Sequence, residues 1–326
     1  MTSSDSNHQI NQLHVYEAML RLRRVEETIA DRYSEQEMRC PVHLSTGQEA
    51  AAIGACAPLK KNDVIVSNHR SHGHYLAKGG SLVAMIAEIY GRVSGCCGGR
   101  GGSMHLFDNA AGVLASIPIV ASTVPLAVGA AMAFQQHGEH FVSVAFLGDG
   151  ATEEGVFHES LNLASLLTLP VIFFVENNLY SCYTALHERQ PDRDLTSYAL
   201  AHSLPSERID GNDADTVIAA MSLAVDRARA GAGPTLLVAD TYRWREHCGP
   251  NFDNDLGYRT EQEYAQWRRR CPLDLYRARL IQGGTLNEVS DRAIAEKVEL
   301  EIEKAFLAAR SASFPDPNTA SLRVYA

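Results

Sequence analysis

Two short stretches of the chain carry residue types that could do chemistry together. In "GDGATEEG" the carboxylate of Asp149 sits between two glycines, and in "VIFFVENNLY" the adjacent amides Asn177 and Asn178 close an apolar run. A carboxylate and a neutral amide oxygen are hard ligands, the set that Mg²⁺ takes when phosphates and water complete its octahedron. The glycines around Asp149 let the backbone approach a phosphate, and the helix start beyond them supplies free amides to bind it. The pattern points to a magnesium diphosphate site. Upstream, "NHRSHGHY" holds His69, Arg70, His72 and His74, while His43 and His247 stand in "HLSTGQEA" and "YRWREHCGP". A planar guanidinium is well shaped for a diphosphate. Imidazoles that titrate near neutrality suit proton transfer.

These groups converge only if the elements between them force it. "FVSVAFL" (141–147) reads as a continuously apolar strand and "VIFFVE" (171–176) as the next. Between them, residues 152–168 read as a helix with apolar positions at Val156, Phe157, Leu161, Ala164 and Leu167. Strand, helix and strand make a parallel crossover, so Asp149 and the asparagines emerge at one carboxyl edge of the sheet, where open α/β sheets hold ligands. The alternation extends along the chain. Helices are expected over 12–36, 81–92, 124–136, 213–230 (closed by Gly231) and 289–310, with strands at 63–67 and 235–242. Apolar strands alternating with helices indicate an α/β fold, a parallel sheet with helices on both faces. No repeat or linker divides the chain, so one domain over 1–326 is expected, with residues 1–11 as a flexible arm. The long loops "GCCGGRGGSMHLFDNAAG" and "REHCGPNFDNDLGYRTEQ" are of a length that is often functional.

Composition narrows the function. With 326 residues, 45% of them apolar, the chain can bury a large core. A net charge of −10 with no basic stripe argues against a sequence-independent grip on nucleic acid. The apolar runs are too short to span a membrane, and the polar start "MTSSDSNHQINQ" lacks the basic end and apolar core of a signal peptide. A soluble cytoplasmic protein is expected. Seven cysteines, odd in number and without paired zinc spacing, read as reduced structural thiols.

Plain structural readings compete with each of these. An Asp between glycines is common in turns, and an Asn pair after a strand is an ordinary cap; their joint placement at equivalent strand ends is what favours a site. His69, His72 and His74 lack the cysteine or carboxylate companions of a zinc site. His137 and His140 in "QQHGEH" read as a solvated helix end. The cluster "GGRGGSMH" lacks the Gly-Lys-Ser/Thr ending of a P-loop, and no clear strand precedes it as a dinucleotide fingerprint requires. A nicotinamide dehydrogenase is disfavoured accordingly.

"GDG" followed by "NN" at this separation is similar to the thiamine-diphosphate fingerprint. Almost the whole chain resembles the alpha subunit of the thiamine-dependent 2-oxo-acid dehydrogenases, the pyruvate and acetoin dehydrogenase group. The resemblance runs from "RLRRVEETIADRY" through "HLSTGQEAAAIGA", "NHRSHGHYLAKG", "GGRGGSMHLF", "VPLAVGAAMA" and "TYRW" to "FPDPNTASLRVYA". It implies the thiamin diphosphate-binding fold, in its diphosphate-binding half. It also implies Mg²⁺ held by Asp149, the Asn178 side chain and the Tyr180 backbone carbonyl, with Gly150 and Ala151 offering amides to the diphosphate and Arg70 clamping it. His69 stands where relatives often have tyrosine, in place for a hydrogen bond. Val120 matches a backbone contact to the aminopyrimidine. Pro118 takes a place where relatives usually have glycine, and proline has no amide to donate. The resemblance places His43 near the reacting carbonyl, gives His247 the task of steadying the cofactor and assisting acyl transfer, and puts Arg100 at the common lysine position of an ordered loop bordering the cofactor.

The chemistry so implied is decarboxylation of a 2-oxo acid, or cleavage of acetoin, on thiamine diphosphate, with the acyl group passed to a lipoyl acceptor. A glutamate of a beta subunit would activate the aminopyrimidine, so an α2β2 heterotetramer working with a lipoyl acyltransferase component is expected. Two other readings stay open: a thiamine-dependent acyl or ketol transferase without a lipoyl partner, and a non-catalytic regulatory protein on the same fold. Glu246 beside His247 is expected to favour the protonated imidazole and to displace specificity from pyruvate towards acetoin or a larger 2-oxo acid. Cys248 stands where relatives often carry serine.

Overall fold

Continuously apolar strands need cover on both faces, and the helices provide it. In the computed structural model residues 10–38, 40–319 and 321–322 are described. The strands are β1 (Val64–Ser67), β2 (Val113–Ser116), β3 (Ser143–Gly148), β4 (Val171–Asn177), β5 (Tyr180–Ser181), β6 (Thr184–Ala185), β7 (Ser206–Asp210) and β8 (Thr235–Asp240). The helices are α1 (Gln12–Arg32), α2 (Glu49–Cys56), α3 (His72–Ala77), α4 (Leu82–Ile89), α5 (Thr123–Gln136), α6 (Gly155–Leu166), α7 (Leu186–Arg189), α8 (Ser197–Ala201), α9 (Ala214–Arg229), α10 (Glu261–Arg268), α11 (Pro272–Gln282) and α12 (Glu288–Ser311). Six strands form one parallel sheet in the order β2-β1-β3-β4-β8-β7, and β5–β6 is a separate antiparallel hairpin.

The pleat sends alternate residues to two cores. Val144, Phe146, Ile172, Phe174 and Leu237 face one, beneath α1, α2, α4, α9, α11 and α12; Ala145, Leu147, Phe173, Val175 and Leu236 face the other, beneath α5, α6 and α8. All of β4 is buried. The small residues Ala127 and Ala131 let α5 lie close to β3. Helix ends follow local chemistry. The Asn11 side chain accepts from Leu13 N at 3.0 Å to start α1, and Asn287 and Ser290 form a capping box for α12. Gly231 follows α9 with φ +74°.

Three expectations change. Of the flexible arm expected over 1–11, residues 1–9 lie outside the described residues, while Ile10 packs against the core and Asn11 is the cap of α1. The helix expected over 152–168 spans only Gly155–Leu166. A 3₁₀ turn, Asp149–Glu153, comes first because Thr152 Oγ1 donates back to Asp149 O at 2.7 Å and tightens the chain. The glycine-rich loop is ordered but does not line the cleft described below. It wraps the buried Glu88 carboxylate, which accepts from the amides of Cys97 (2.8 Å), Gly99 (2.8 Å), Gly101 (2.6 Å) and Gly102 (3.2 Å). Arg100 points away, donating to the carbonyls of Thr319 and Leu322 at 2.8 Å each. No cysteine is paired, as expected. No helix among the described residues is long and apolar enough to cross a membrane.

Candidate active site

The chain runs outward from β1 to β2 and then returns to place β3 on the other side of β1, so the switch in strand order falls between β1 and β3. Parallel sheets open a crevice at the carboxyl ends of such strands, and here a cleft lies there. Its wall takes His69 and Arg70 from beyond β1, Pro118 and Val120 from beyond β2, and Asp149, Gly150 and Ala151 from beyond β3. Asn178 and Tyr180 come from beyond β4, and His247 from the segment after β8. His43 is not part of that wall but sits beside it. Its ring centroid is 4.8 Å from that of His69 and 5.1 Å from that of His247, and the latter two are 5.2 Å apart.

Two buried charges define the cleft. Asp149 is 2% exposed, and its carboxylate pairs with the Arg189 guanidinium, which also pairs with Glu153. Burial pushes the Asp149 carboxyl upward, outweighing the attraction of Arg189. Arg70 is 4% exposed and donates to the carbonyls of Leu44 (2.5 Å) and His247 (3.3 Å). Among the described residues no carboxylate forms an ion pair with it, and burial, reinforced by Arg243, pushes it down to about 10. A buried cation without a counter-ion is costly, and in a cleft it marks a place for an anion. Beside Asp149 the backbone is bare: a Cβ on Gly150 would meet Ser181 Oγ at 2.7 Å. The amides of Gly150 and Ala151 open the 3₁₀ turn, where no internal acceptor precedes them. A cation place, an anion place and a side-chain-free cradle thus share one cavity, and these residues fit a metal diphosphate.

The two asparagines part company. Asn177 Nδ2 donates sideways to Asp240 Oδ1 on β8 at 2.8 Å, whereas Asn178 faces the cleft. Its Oδ1 accepts from Tyr180 N at 3.3 Å, and its Nδ2 donates to Gln48 Oε1 at 3.2 Å. Gln48 Nε2 in turn donates to Glu176 Oε1 at 3.2 Å, and Glu176 lies 3.4 Å from His74 Nε2. His72 is held between Glu26 (2.6 Å) and Ser103 (2.7 Å). His72 and His74 therefore serve the scaffold, apart from the three clustered rings. Pro118 and Val120 belong to an open lip where Ile119 is 68% and Val120 51% exposed. Ala121 there holds φ +61°, a strained value for a side-chain-bearing residue.

Residues 17–318 match the family described as the dehydrogenase E1 component. The chain belongs to that family. It is 36% identical over 315 residues to the alpha subunit of acetoin:2,6-dichlorophenolindophenol oxidoreductase from Bacillus subtilis, covering 96% of this chain and 93% of that protein. It is 35% identical over 315 residues to the pyruvate dehydrogenase E1 component subunit alpha of Rhizobium meliloti (95% and 88%). With the chloroplastic pyruvate dehydrogenase E1 component subunit alpha-3 of Arabidopsis thaliana it shares 36% over 299 residues (90% and 69%).

Within this E1 chain the protonation expected of His247 is reversed. Glu246 Oε1 accepts from Asn251 N at 2.8 Å and closes its own loop. Burial, then Arg70, His43 and Arg243, push the imidazole down to about 3. Burial followed by Arg70 likewise lowers His43 to about 2 and His69 to about 3. All three are neutral at pH 7, and the argument from Glu246 to a displaced substrate specificity falls with its premise. Sequence reasoning also passed over Glu176, Gln48 and Arg189; a charge at the end of a wholly apolar strand was the available signal for Glu176.

The sign of the resulting pH effect is fixed. In the unfolded chain these imidazoles titrate near 6.5, but the folded site refuses the protons until about pH 3. Stability from these groups is complete above pH 6.5 and is lost as the pH falls from there towards 3. Denaturant unfolding at pH 7 and pH 5 should show a smaller acid penalty in His69→Phe than in the natural chain; equal penalties would remove this account.

Proposed function

We propose that this chain is the diphosphate-binding alpha subunit of a cytoplasmic, thiamine-diphosphate-dependent dehydrogenase, folded as one domain and working in an α2β2 heterotetramer. It would decarboxylate a 2-oxo acid or cleave acetoin and deliver the acyl group to a lipoyl acyltransferase component. The observation that carries the reading is the pairing, in one cleft, of a buried guanidinium without an ion-pair partner among the described residues with a buried carboxylate that has taken a guanidinium as its cation.

In this reading Asp149, Asn178 and the Tyr180 carbonyl hold Mg²⁺. Gly150 and Ala151 amides, Arg70 and His69 hold the diphosphate, Val120 meets the aminopyrimidine through its backbone, and Pro118 forms the wall. Thiamine diphosphate, when bound, supplies the nucleophilic carbon that the reaction needs. The chain's own part is positioning and proton traffic. His43 and His247, being neutral, each keep a lone pair to take a proton from an arriving group and an N–H to hold a developing oxyanion. Arg70 fixes the His247 carbonyl at 3.3 Å and so ties the proton-transfer group to the diphosphate clamp. The exposed Ile119 and Val120 leave the lip apolar and open, in keeping with cover from a beta subunit.

The test is an assay of the complex reconstituted with its co-purifying partner chain, supplied with pyruvate, branched 2-oxo acids or acetoin and an artificial electron acceptor, then a lipoyl domain. Turnover is expected only with both chains and the cofactor present. Full turnover by the isolated chain would refute the heteromeric reading, and turnover only with a sugar or aldehyde acceptor would favour a ketol transferase.

A further inference from the structure

The mechanism above leaves Arg189 without a task. Its side chain is 10% exposed, and its guanidinium pairs with Asp149, a residue of the cleft wall, and with Glu153 together. Nε donates to Thr184 O at 3.1 Å, and Nη1 lies 3.5 Å from the point where a Cβ on Gly150 would stand. The guanidinium thus occupies the space beside the Asp149 carboxylate and the bare backbone, where the proposed metal would sit. Asn178 Oδ1, the second expected ligand, is turned inward onto Tyr180 N. Ligand and plug share one short segment, running from Asn178 through the β5–β6 hairpin to the end of α7. In it Leu179 (φ +73°) and Cys182 (φ +50°) hold left-handed conformations that cost side-chain-bearing residues free energy.

We propose that Arg189 is a built-in counter-cation of the Asp149 site, one that must leave the carboxylate before a metal can bind and that yields to a metal diphosphate but not to the metal alone. The proposal rests on reading Asp149 as a metal ligand. A bare Mg²⁺ offers Asp149 little that Arg189 does not already supply, and it gives up its water reluctantly. A metal diphosphate brings a second set of contacts at Arg70 and the Gly150 and Ala151 amides, and these tip the balance. Displacement is not prohibitive, because Glu153 can keep the guanidinium and is itself steadied by Gln190 Nε2 at 3.0 Å. The site would therefore read metal and diphosphate as one ligand.

Mn²⁺ binding to the cofactor-stripped α2β2 complex, followed by loss of the free-ion electron paramagnetic resonance signal, tests this with and without inorganic pyrophosphate. The natural complex should bind Mn²⁺ weakly alone and far more tightly with pyrophosphate. Arg189→Gln should tighten binding of Mn²⁺ alone tenfold or more and shrink the gain from pyrophosphate, while Arg189→Lys should stay close to the natural complex. Unchanged or weaker Mn²⁺ binding in Arg189→Gln overturns the proposal. A measurement on the unaltered complex guards against misfolding of the variant: hydrogen exchange over 184–190 should change with Mn²⁺ plus pyrophosphate but not with Mn²⁺ alone, and no change with the pair also overturns it. Asp149→Ala separates the two layers. If it leaves binding of the pair intact, the metal assignment itself fails; if it abolishes that binding while Arg189→Gln does nothing, only the counter-cation fails.

Discussion

Asp149→Ala should weaken binding of magnesium thiamine diphosphate to the complex on the order of a hundredfold, and Asn178→Ala distinctly less. A contact to a charged group is worth up to about 3 kcal/mol, and each factor of ten corresponds to about 1.4 kcal/mol. Asp149 is the charged member of the proposed ligand set and is buried, so no water replaces it at equal strength. Asn178 is a neutral amide already engaged with Tyr180 N and Gln48, and its loss removes a weaker contact. In Asp149→Ala the Arg189 guanidinium keeps Glu153, so the folded chain should survive the change and the loss should show in the cofactor titration. Equal affinities for the natural complex and both variants would sink the assignment.

The second large effect is one of stability. Asp253 is 2% exposed and anchors the loop that carries His247. Its Oδ1 accepts from Arg259 Nη2 at 2.5 Å, its Oδ2 accepts from Tyr258 OH at 2.7 Å, and Arg243 Nη1 lies 3.6 Å away. Arg259 and Arg243, both buried, have no other carboxylate partner among the described residues. Asp253→Ala would strand two buried cations, and breaking a buried pair in this way costs about 3–5 kcal/mol. Urea unfolding should report that loss, with Asp253→Asn less affected because its amide oxygen still accepts from Arg259 and its NH2 can donate to the Tyr258 hydroxyl oxygen. A loss below about 1 kcal/mol in Asp253→Ala would mean that water reaches these guanidinium groups.

The part of the molecule legible in the sequence is the part whose pattern is periodic or whose chemistry is local. β3 and β4 are unbroken apolar runs, and α12 carries its own caps, so their places could be read directly. α2 could not, because every residue of "EAAAIGAC" is buried and no periodicity remains to detect. β7, "SERID", is a mostly exposed edge strand that takes its form from pairing with β8. At the site, the crossover brought Asp149 and Asn178 together by topology alone. The Glu246 error had a different source. Adjacency in sequence does not amount to proximity of charge: backbone geometry sends that carboxylate to Asn251 N and leaves His247 facing Arg70. Arg189 was invisible for the same reason: only the fold shows that α7 aims a guanidinium at Asp149.

In the sheet, Gly148 on β3 stands opposite Glu176 on β4, so Asp149 and Asn178 leave neighbouring strands at nearly the same level. Their starting points are separated by the spacing of hydrogen-bonded strands, about 4.7–4.9 Å, a length set by peptide geometry and indifferent to side-chain identity. The sheet is a ruler. Drift in the strand sequences can exchange one packing for another on either face without altering that length, so the proposed grip on an ion would survive divergence almost anywhere in the core. What hangs beyond the strand ends, the lip at Ile119 and Val120 and the loop around His247, carries no such constraint. New substrate preferences would therefore arise at that rim while the geometry between Asp149 and Asn178 stays as it is.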